Sequence, residues 1–380
     1  MKEIATEDKK RSPISWVPTL YFAMGLPFVM INMAATVMFR NLEISDAQIA
    51  FWTSLIMLPW TLKPLWSPFL EMYKTKKFFV ILTQTLTGLM FGLTALALNL
   101  PHFFAICIAI LAVIALSGAT HDIAADGVYM SALSKDDQAK YIGWQGAFYN
   151  IAKLVAQGGL VYVSGVLIKY FAGNIDGVTP FIQASSEHQA AVIAWMSILL
   201  FAGALMVAFG LYHIKFLPSE QKNENKVKPT FKETMDELVE TFIDLFRKRH
   251  IVYYICFIIL YRFAEGFVMK IVPLFLMADR ANQGLGLTNE QIGAYYGTYG
   301  SAAFVLGSLL AGYYVAHRGL QKSLFSLCCV FNLPFVAYTL LAIYQPTEMW
   351  IIGGAIMLEY FGYGFGFVGL TLFMMQQIAP

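Results

Sequence analysis

Ser117-Gly118-Ala119-Thr120-His121-Asp122-Ile123-Ala124-Ala125-Asp126-Gly127-Val128-Tyr129 closes an apolar run that begins at Phe103, and it sets two acids and a histidine among oil-like neighbours. Asp122 and Asp126 are spaced i, i+4, so on a helix they share one face, one turn apart. An ionisable side chain inside a membrane helix costs roughly 2.5–3.5 kcal/mol on insertion scales, so it calls for a partner, a function or both. The remainder of the chain reads as the scaffold that supplies them.

Composition says what surrounds this stretch. The chain is 58% hydrophobic and 13% charged, where a soluble domain averages about 25% charged residues. A bilayer core takes about 20 apolar residues per helix. Ten stretches qualify, at approximately 16 to 39, 47 to 70, 78 to 99, 103 to 131, 141 to 171, 189 to 214, 250 to 276, 289 to 315, 322 to 344 and 349 to 376. The expected class is an all-α polytopic membrane protein. Met1 to Arg11 is charged and leads into a full-length span with no small-residue cleavage site, which fits a retained first helix. Nineteen of the 26 Lys and Arg fall in the N-terminal tail and in the loops after spans two, four, six and eight. By the positive-inside rule the N-terminus is cytoplasmic. Cys107, Cys256, Cys328 and Cys329 lie in apolar runs without metal or disulfide spacing and read as small hydrophobes. No metal, cofactor or nucleic-acid partner is expected.

The longest loop, 215–249, is polar up to Lys228. Beyond it Thr230 and Glu233 have capping-box spacing, and Phe231, Met235, Leu238, Phe242 and Phe246 recur at helical spacing. A short amphipathic helix on the cytoplasmic membrane surface is expected, set against the plainer reading of a solvated tether. The loop divides two related halves, 1–214 and 250–380. Phe22-Ala-Met-Gly25 with Phe28-Val-Met30 in span one is echoed by Phe263-Ala-Glu-Gly266 with Phe267-Val-Met269 in span seven. The entries to spans two and eight, Ser45 to Gln48 and Thr288 to Gln291, share a capping-box pattern. Internal duplication with a site between the repeats is the mark of secondary transporters. With a repeat offset of about 243 residues, the second half ends after four spans where the first has six. The expectation is therefore ten helices present out of twelve, with the second bundle truncated.

Several polar groups fall at mid-depth. Lys63 in span two and Lys153 in span five are the natural counter-charges for Asp122 and Asp126. Asn150, Lys153 and Gln157 form a polar stripe on span five, Arg262 and Glu265 lie one turn apart on span seven, and Glu359 lies in span ten. Each has two readings: a packed ion pair holding helices in register, or a group that binds solute or takes up a proton. His121 faces about 100° from Asp122 and reads as a hydrogen-bonded packing residue. Lys270, near an outer end, can snorkel. Gly364-Phe-Gly366-Phe-Val-Gly369 matches the dinucleotide fingerprint but has no strand before it, so it reads as close helix packing. Trp52, Trp60, Trp66, Trp144 and the pair Tyr295-Tyr296 could stack on sugar rings, although most aromatics in membrane helices face lipid or neighbouring helices.

Leu58-Pro59-Trp60-Thr61-Leu62-Lys63-Pro64-Leu65-Trp66-Ser67-Pro68 with Glu71-Met72-Tyr73, together with Ala119-Thr120-His121-Asp122-Ile123-Ala124-Ala125-Asp126, resembles the second- and fourth-helix motifs of the AmpG-like anhydromuropeptide permease and acetyl-CoA transporter group of the major facilitator superfamily. The resemblance covers the first six spans well and the later ones by layout. It implies two pseudo-symmetric helix bundles of the major facilitator fold, alternating access and proton-coupled uptake, with Lys63, Asp122 and Asp126 on the motif. His121 stands where that group commonly has Gln.

The function expected is secondary active, proton-coupled import of a sugar-containing or anionic solute such as a muropeptide, by a monomer in a bacterial inner membrane. One rival is a membrane-embedded acyl or glycosyl transferase, or a hydrolase, using His121 and Asp122 as a base and its orienter. No convincing nucleophile lies in their plane, and the chain is expected not to be an enzyme. A second rival is a substrate sensor that binds without flux.

Overall fold

Residues 12–68, 70, 75–218 and 231–377 are described by a computed structural model. The N-terminal tail, the Glu71-Met72-Tyr73 end of the second-helix motif, and Thr230 of the expected capping box lie outside the described residues. All regular structure among those described is helical. Eight helices are long and apolar enough to cross a membrane, among them Phe103–Ala132 and Glu187–Phe216. The other two expected spans are helical as well but differ in kind. The second is broken into Asp46–Leu55, Leu58–Leu62 and a single 3-10 turn, Lys63–Leu65. Pro59 and Pro64 mark the breaks: each lacks a backbone N–H, which costs nothing in a first turn, and each sits in the first turn of a new short helix. The seventh, Ile251–Met277, runs unbroken past Pro273 and carries Arg262, Glu265 and Lys270.

The contacts gather the chain into two units, whose borders cut through spans one, two, five and six and through the long loop. The first comprises residues 1–31, 56–153 and 196–235. Its core is Trp16, Leu20, Tyr21 and Met24 on the first span packed against Ala125, Val128 and Tyr129 of Phe103–Ala132, with Val80 and Leu217. Small residues set the helix spacing, as van der Waals packing in lipid favours. A methyl group on Gly88 would stand 2.6 Å from the Gly203 carbonyl oxygen, so Lys76–Ala97 and Glu187–Phe216 meet backbone to backbone there.

The second unit comprises residues 32–55, 154–195 and 236–380. Here the glycine-rich stretch of the last helix finds its use in packing. Gly364 faces the backbone of Phe304, while Gly366 and Gly369 face Phe331 and Leu327, so Met349–Gln377 lies close against two neighbouring helices at once. Two π-helical segments, Leu154–Leu160 and Ile292–Tyr299, cross through Gly158, Gly293 and Gly297. Thr288 and Gln291 form the expected capping box. Ser45 and Gln48 depart from it: their side chains bond to each other at 2.9 Å. The expected amphipathic helix is present as Phe231–Arg247, with Phe231, Val239, Ile243 and Phe246 exposed.

Candidate functional site

Asp122 is buried on Phe103–Ala132. Its Oδ2 accepts hydrogen bonds from the Lys63 ammonium at 2.9 Å and from the Trp60 indole N–H at 3.1 Å. Both donors come from the proline-broken segment, where Lys63 opens the 3-10 turn. Gly118, one turn before Asp122, makes the approach possible: a methyl group there would stand 2.8 Å from Trp60 Cζ2. Phe28 meets the other side of the indole edge-on, with ring centroids 5.3 Å apart. The second oxygen, Oδ1, is buried and has no hydrogen-bond partner among the described residues.

Asp126 is held differently. Its Oδ1 accepts from the Tyr21 hydroxyl at 2.8 Å and from the Gln145 carboxamide at 3.5 Å. Both donors are neutral, and among the described residues no cation lies within ion-pair distance of this carboxyl. Two carboxyls on one helix face thus have opposite settings among the described residues, one ion-paired and one held by neutral donors.

Behind them runs a buried polar chain. His121 Nε2 meets Gln84 Nε2 at 2.9 Å, Gln84 Oε1 meets His213 Nδ1 at 2.8 Å, and His213 Nε2 meets Thr19 Oγ1 at 2.9 Å. An amide has one accepting end and one donating end, so Gln84 couples the tautomers of the two rings. His121 is therefore a packing residue bonded away from Asp122, as the 100° offset suggested. Beside this chain, Thr87 donates to Ser117 and Ser117 to the Thr83 carbonyl, joining Lys76–Ala97 to Phe103–Ala132.

The remaining predicted residues are dispersed. Lys153 lies over the Tyr149 ring, 5.5 Å from its centroid, and the hydrogen bonds on Asp122 come from Lys63 and Trp60. Asn150 is exposed and donates to the Gly146 carbonyl of its own helix. Gln157 donates to the Tyr296 carbonyl and to the Tyr360 hydroxyl. A π segment begins between Lys153 and Gln157, and the count of 100° per residue that put both on one stripe does not carry across it. Arg262 and Glu265 form a two-pronged pair, at 2.7 and 2.8 Å, and satisfy each other. Glu359 is buried and accepts from the Tyr338 hydroxyl at 3.1 Å.

Other polar arrangements escaped the sequence reading. Asn41 Oδ1 accepts from Trp195 at 2.9 Å and from Asn289 at 2.6 Å, and Asn289 also donates to Ser164. Lys169 pairs with Glu290 at 2.7 Å. Asn41, Lys169, Asn289 and Glu290 border a cavity of about 590 Å³ whose lining includes Arg40 and Asp279 but none of the nine predicted site residues. Lys270 does not snorkel; it donates to Asn32 at 2.7 Å. No group of side chains suited to a metal ion occurs among the described residues.

A protein of Haemophilus influenzae with no described function is 22% identical over 378 residues, spanning 94% of this chain and 79% of that one. Among solved structures, the nucleoside transporter NupG is similar with a TM-score of 0.67 at 12% identity, over 96% of this chain and 83% of that one. A D-xylose–proton symporter is similar with a TM-score of 0.58 at 10% identity, over 95% and 89%. At such identities these likenesses concern the fold. The sequence pattern of the Major Facilitator Superfamily matches residues 19–380. The chain is an integral membrane protein that belongs to the Major Facilitator Superfamily, a family of transporters rather than enzymes.

Proposed function

We propose that the protein is a proton-coupled importer of a sugar-containing solute, with a muropeptide as the leading cargo and the AmpG-like group as its nearest functional kin. The observation that carries this reading is the unlike pair on one helix face: Asp122 bound to Lys63 and Trp60, Asp126 bound, among the described residues, by Tyr21 and Gln145 alone. Ionised groups among apolar helices are kept where they move ions or bind polar cargo. A proton added to Asp126 breaks no ion pair. A proton added to Asp122 at Oδ2 releases Lys63, whose side chain is 31% exposed and free to engage an anionic group of the cargo. Coupling then has a simple form. Cargo and proton load together, the two related bundles rock about the loaded centre, and both leave on the cytoplasmic side, where the positive-inside count puts the N-terminus. A monomer in a bacterial inner membrane suffices for this cycle.

The test is uptake into vesicles carrying an imposed proton gradient, with a labelled anhydromuropeptide and labelled xylose as cargoes. Wild type should concentrate the muropeptide. Asp122→Asn and Asp126→Asn should each abolish accumulation while equilibrative exchange survives in at least one. Undiminished proton-driven accumulation in both variants would remove the coupling role.

A further inference from the structure

The helix Ile251–Met277 carries a third charge that the reading above leaves unused. The Lys270 ammonium donates to Asn32 Oδ1 at 2.7 Å and stands 3.4 and 3.5 Å from the carbonyl and hydroxyl oxygens of Thr53. All three acceptors are uncharged, and among the described residues no carboxylate comes within ion-pair distance of it. An ammonium taken out of water with only neutral oxygens about it is poorly compensated. Nor is it escaping along a helix end. Lys270 lies about seven residues short of Met277, Thr53 about seven beyond Asp46 and Asn32 about nine short of Asn41. At 1.5 Å per residue all three lie about 10–14 Å in from those ends.

Asn32 adds the second half of a receptor. Because an ammonium only donates, the Asn32 carbonyl must face Lys270, which turns its NH₂ away. Among the described residues that NH₂ donates to nothing. Asn32 belongs to the π-helical segment Met30–Ala34, and such segments occur often at functional sites because they move side chains off the α-helical register. Both residues are only half-buried, so each can still meet a solute. An ammonium beside an unpartnered carboxamide N–H pair matches the two oxygens of a carboxylate or phosphate.

We infer that Lys270 and Asn32 form a binding site for an anionic group, carboxylate or phosphate, on the transported solute. The inference rests on the transport reading for its cargo but on different residues. The anion replaces the two longer contacts to Thr53, so the ammonium keeps Asn32 and gains the charge it lacks.

Purified protein in detergent, titrated at constant ionic strength with glucose, glucuronate, glucose 6-phosphate, acetate and inorganic phosphate, decides it through the midpoint of thermal unfolding, since ligands that bind the folded state raise it. Wild type should respond to the anions and not to glucose. Lys270→Met should weaken the apparent affinity for the anions at least tenfold, Asn32→Ala should weaken it less, and Lys270→Arg should retain most of it. Preference for glucuronate assigns a carboxylate, and preference for glucose 6-phosphate a phosphate. Each shift is read from the variant's own ligand-free midpoint, with Lys270→Gln in place of Lys270→Met if the latter does not fold. Anion responses equal in wild type and the Lys270 variants, or no response in wild type beyond that to chloride, would overturn the site. Loss of the response in Lys270→Met, together with undiminished proton-driven uptake in Asp122→Asn and Asp126→Asn, would leave the anion site standing and sink the coupling reading instead.

Discussion

Asp122 shows how much of its role is decided by one missing methyl group. Gly118 lets the Trp60 indole lie against the helix and aim its N–H at the carboxylate. Gly118→Ala should push the ring away and lower the unfolding midpoint by an amount corresponding to about 1–3 kcal/mol, the usual effect of overpacking, with a shift in tryptophan fluorescence. Lys63 and Asp122 should also be energetically coupled. In a double-mutant cycle with Lys63→Met and Asp122→Asn, the coupling should fall in the lower half of roughly 0.5–3 kcal/mol, because Lys63 is partly exposed. A coupling of zero would mean the pair is incidental. Gln84→Leu removes one partner from each of two buried imidazoles and should cost about 1–3 kcal/mol per ring left unsatisfied, read as the loss of midpoint relative to wild type. The Lys63–Asp122 pair was legible in the sequence because opposite charges in an apolar setting have few alternatives. Tyr21, Gln145 and Gln84 were not, since neutral polar groups are many and nothing in their spacing ties Tyr21 or Gln145 to the Asp126 carboxyl, or Gln84 to the His121 and His213 rings. Lys270 was misread for the same reason: its partners carry no charge to advertise them.

Among the elements, the apolar runs gave helices where about 20 uncharged residues occurred together, but the second, expected as one span from 47 to 70, is broken at Pro59 and Pro64. What the runs did not convey was π-helical geometry. Leu154–Leu160 and Ile292–Tyr299 look like ordinary apolar helix, and their departure arises where Gly158, Gly293 and Gly297 let the backbones touch, a property of the pair rather than of either sequence. The polar stripe of Asn150, Lys153 and Gln157 failed at this joint. A methyl group on Gly297 would stand about 2.6 Å from the Gln157 carbonyl oxygen. Gly297→Ala should therefore destabilise by more than a surface substitution does, by about 1–3 kcal/mol, and slow uptake, whereas Gly312→Ala, where no atom lies in the way, should leave both near wild type.

For the molecule as a whole, the pattern match over residues 19–380 shows a transporter family, the class that the repeated motifs of the sequence led one to expect. The decisive feature is local: Asp122 and Asp126 lie one turn apart and, among the described residues, Asp122 has an ion-pair partner and Asp126 has none. If they couple solute to protons, transport must move protons as well as cargo. The most direct measurement is the internal pH of proteoliposomes, followed by a trapped dye, when an anhydromuropeptide is added outside with no gradient imposed. The lumen should acidify as cargo enters wild-type vesicles and should hold steady in Asp126→Asn. Cargo entry into wild-type vesicles with no acidification, or equal acidification in both proteins, would contradict the account.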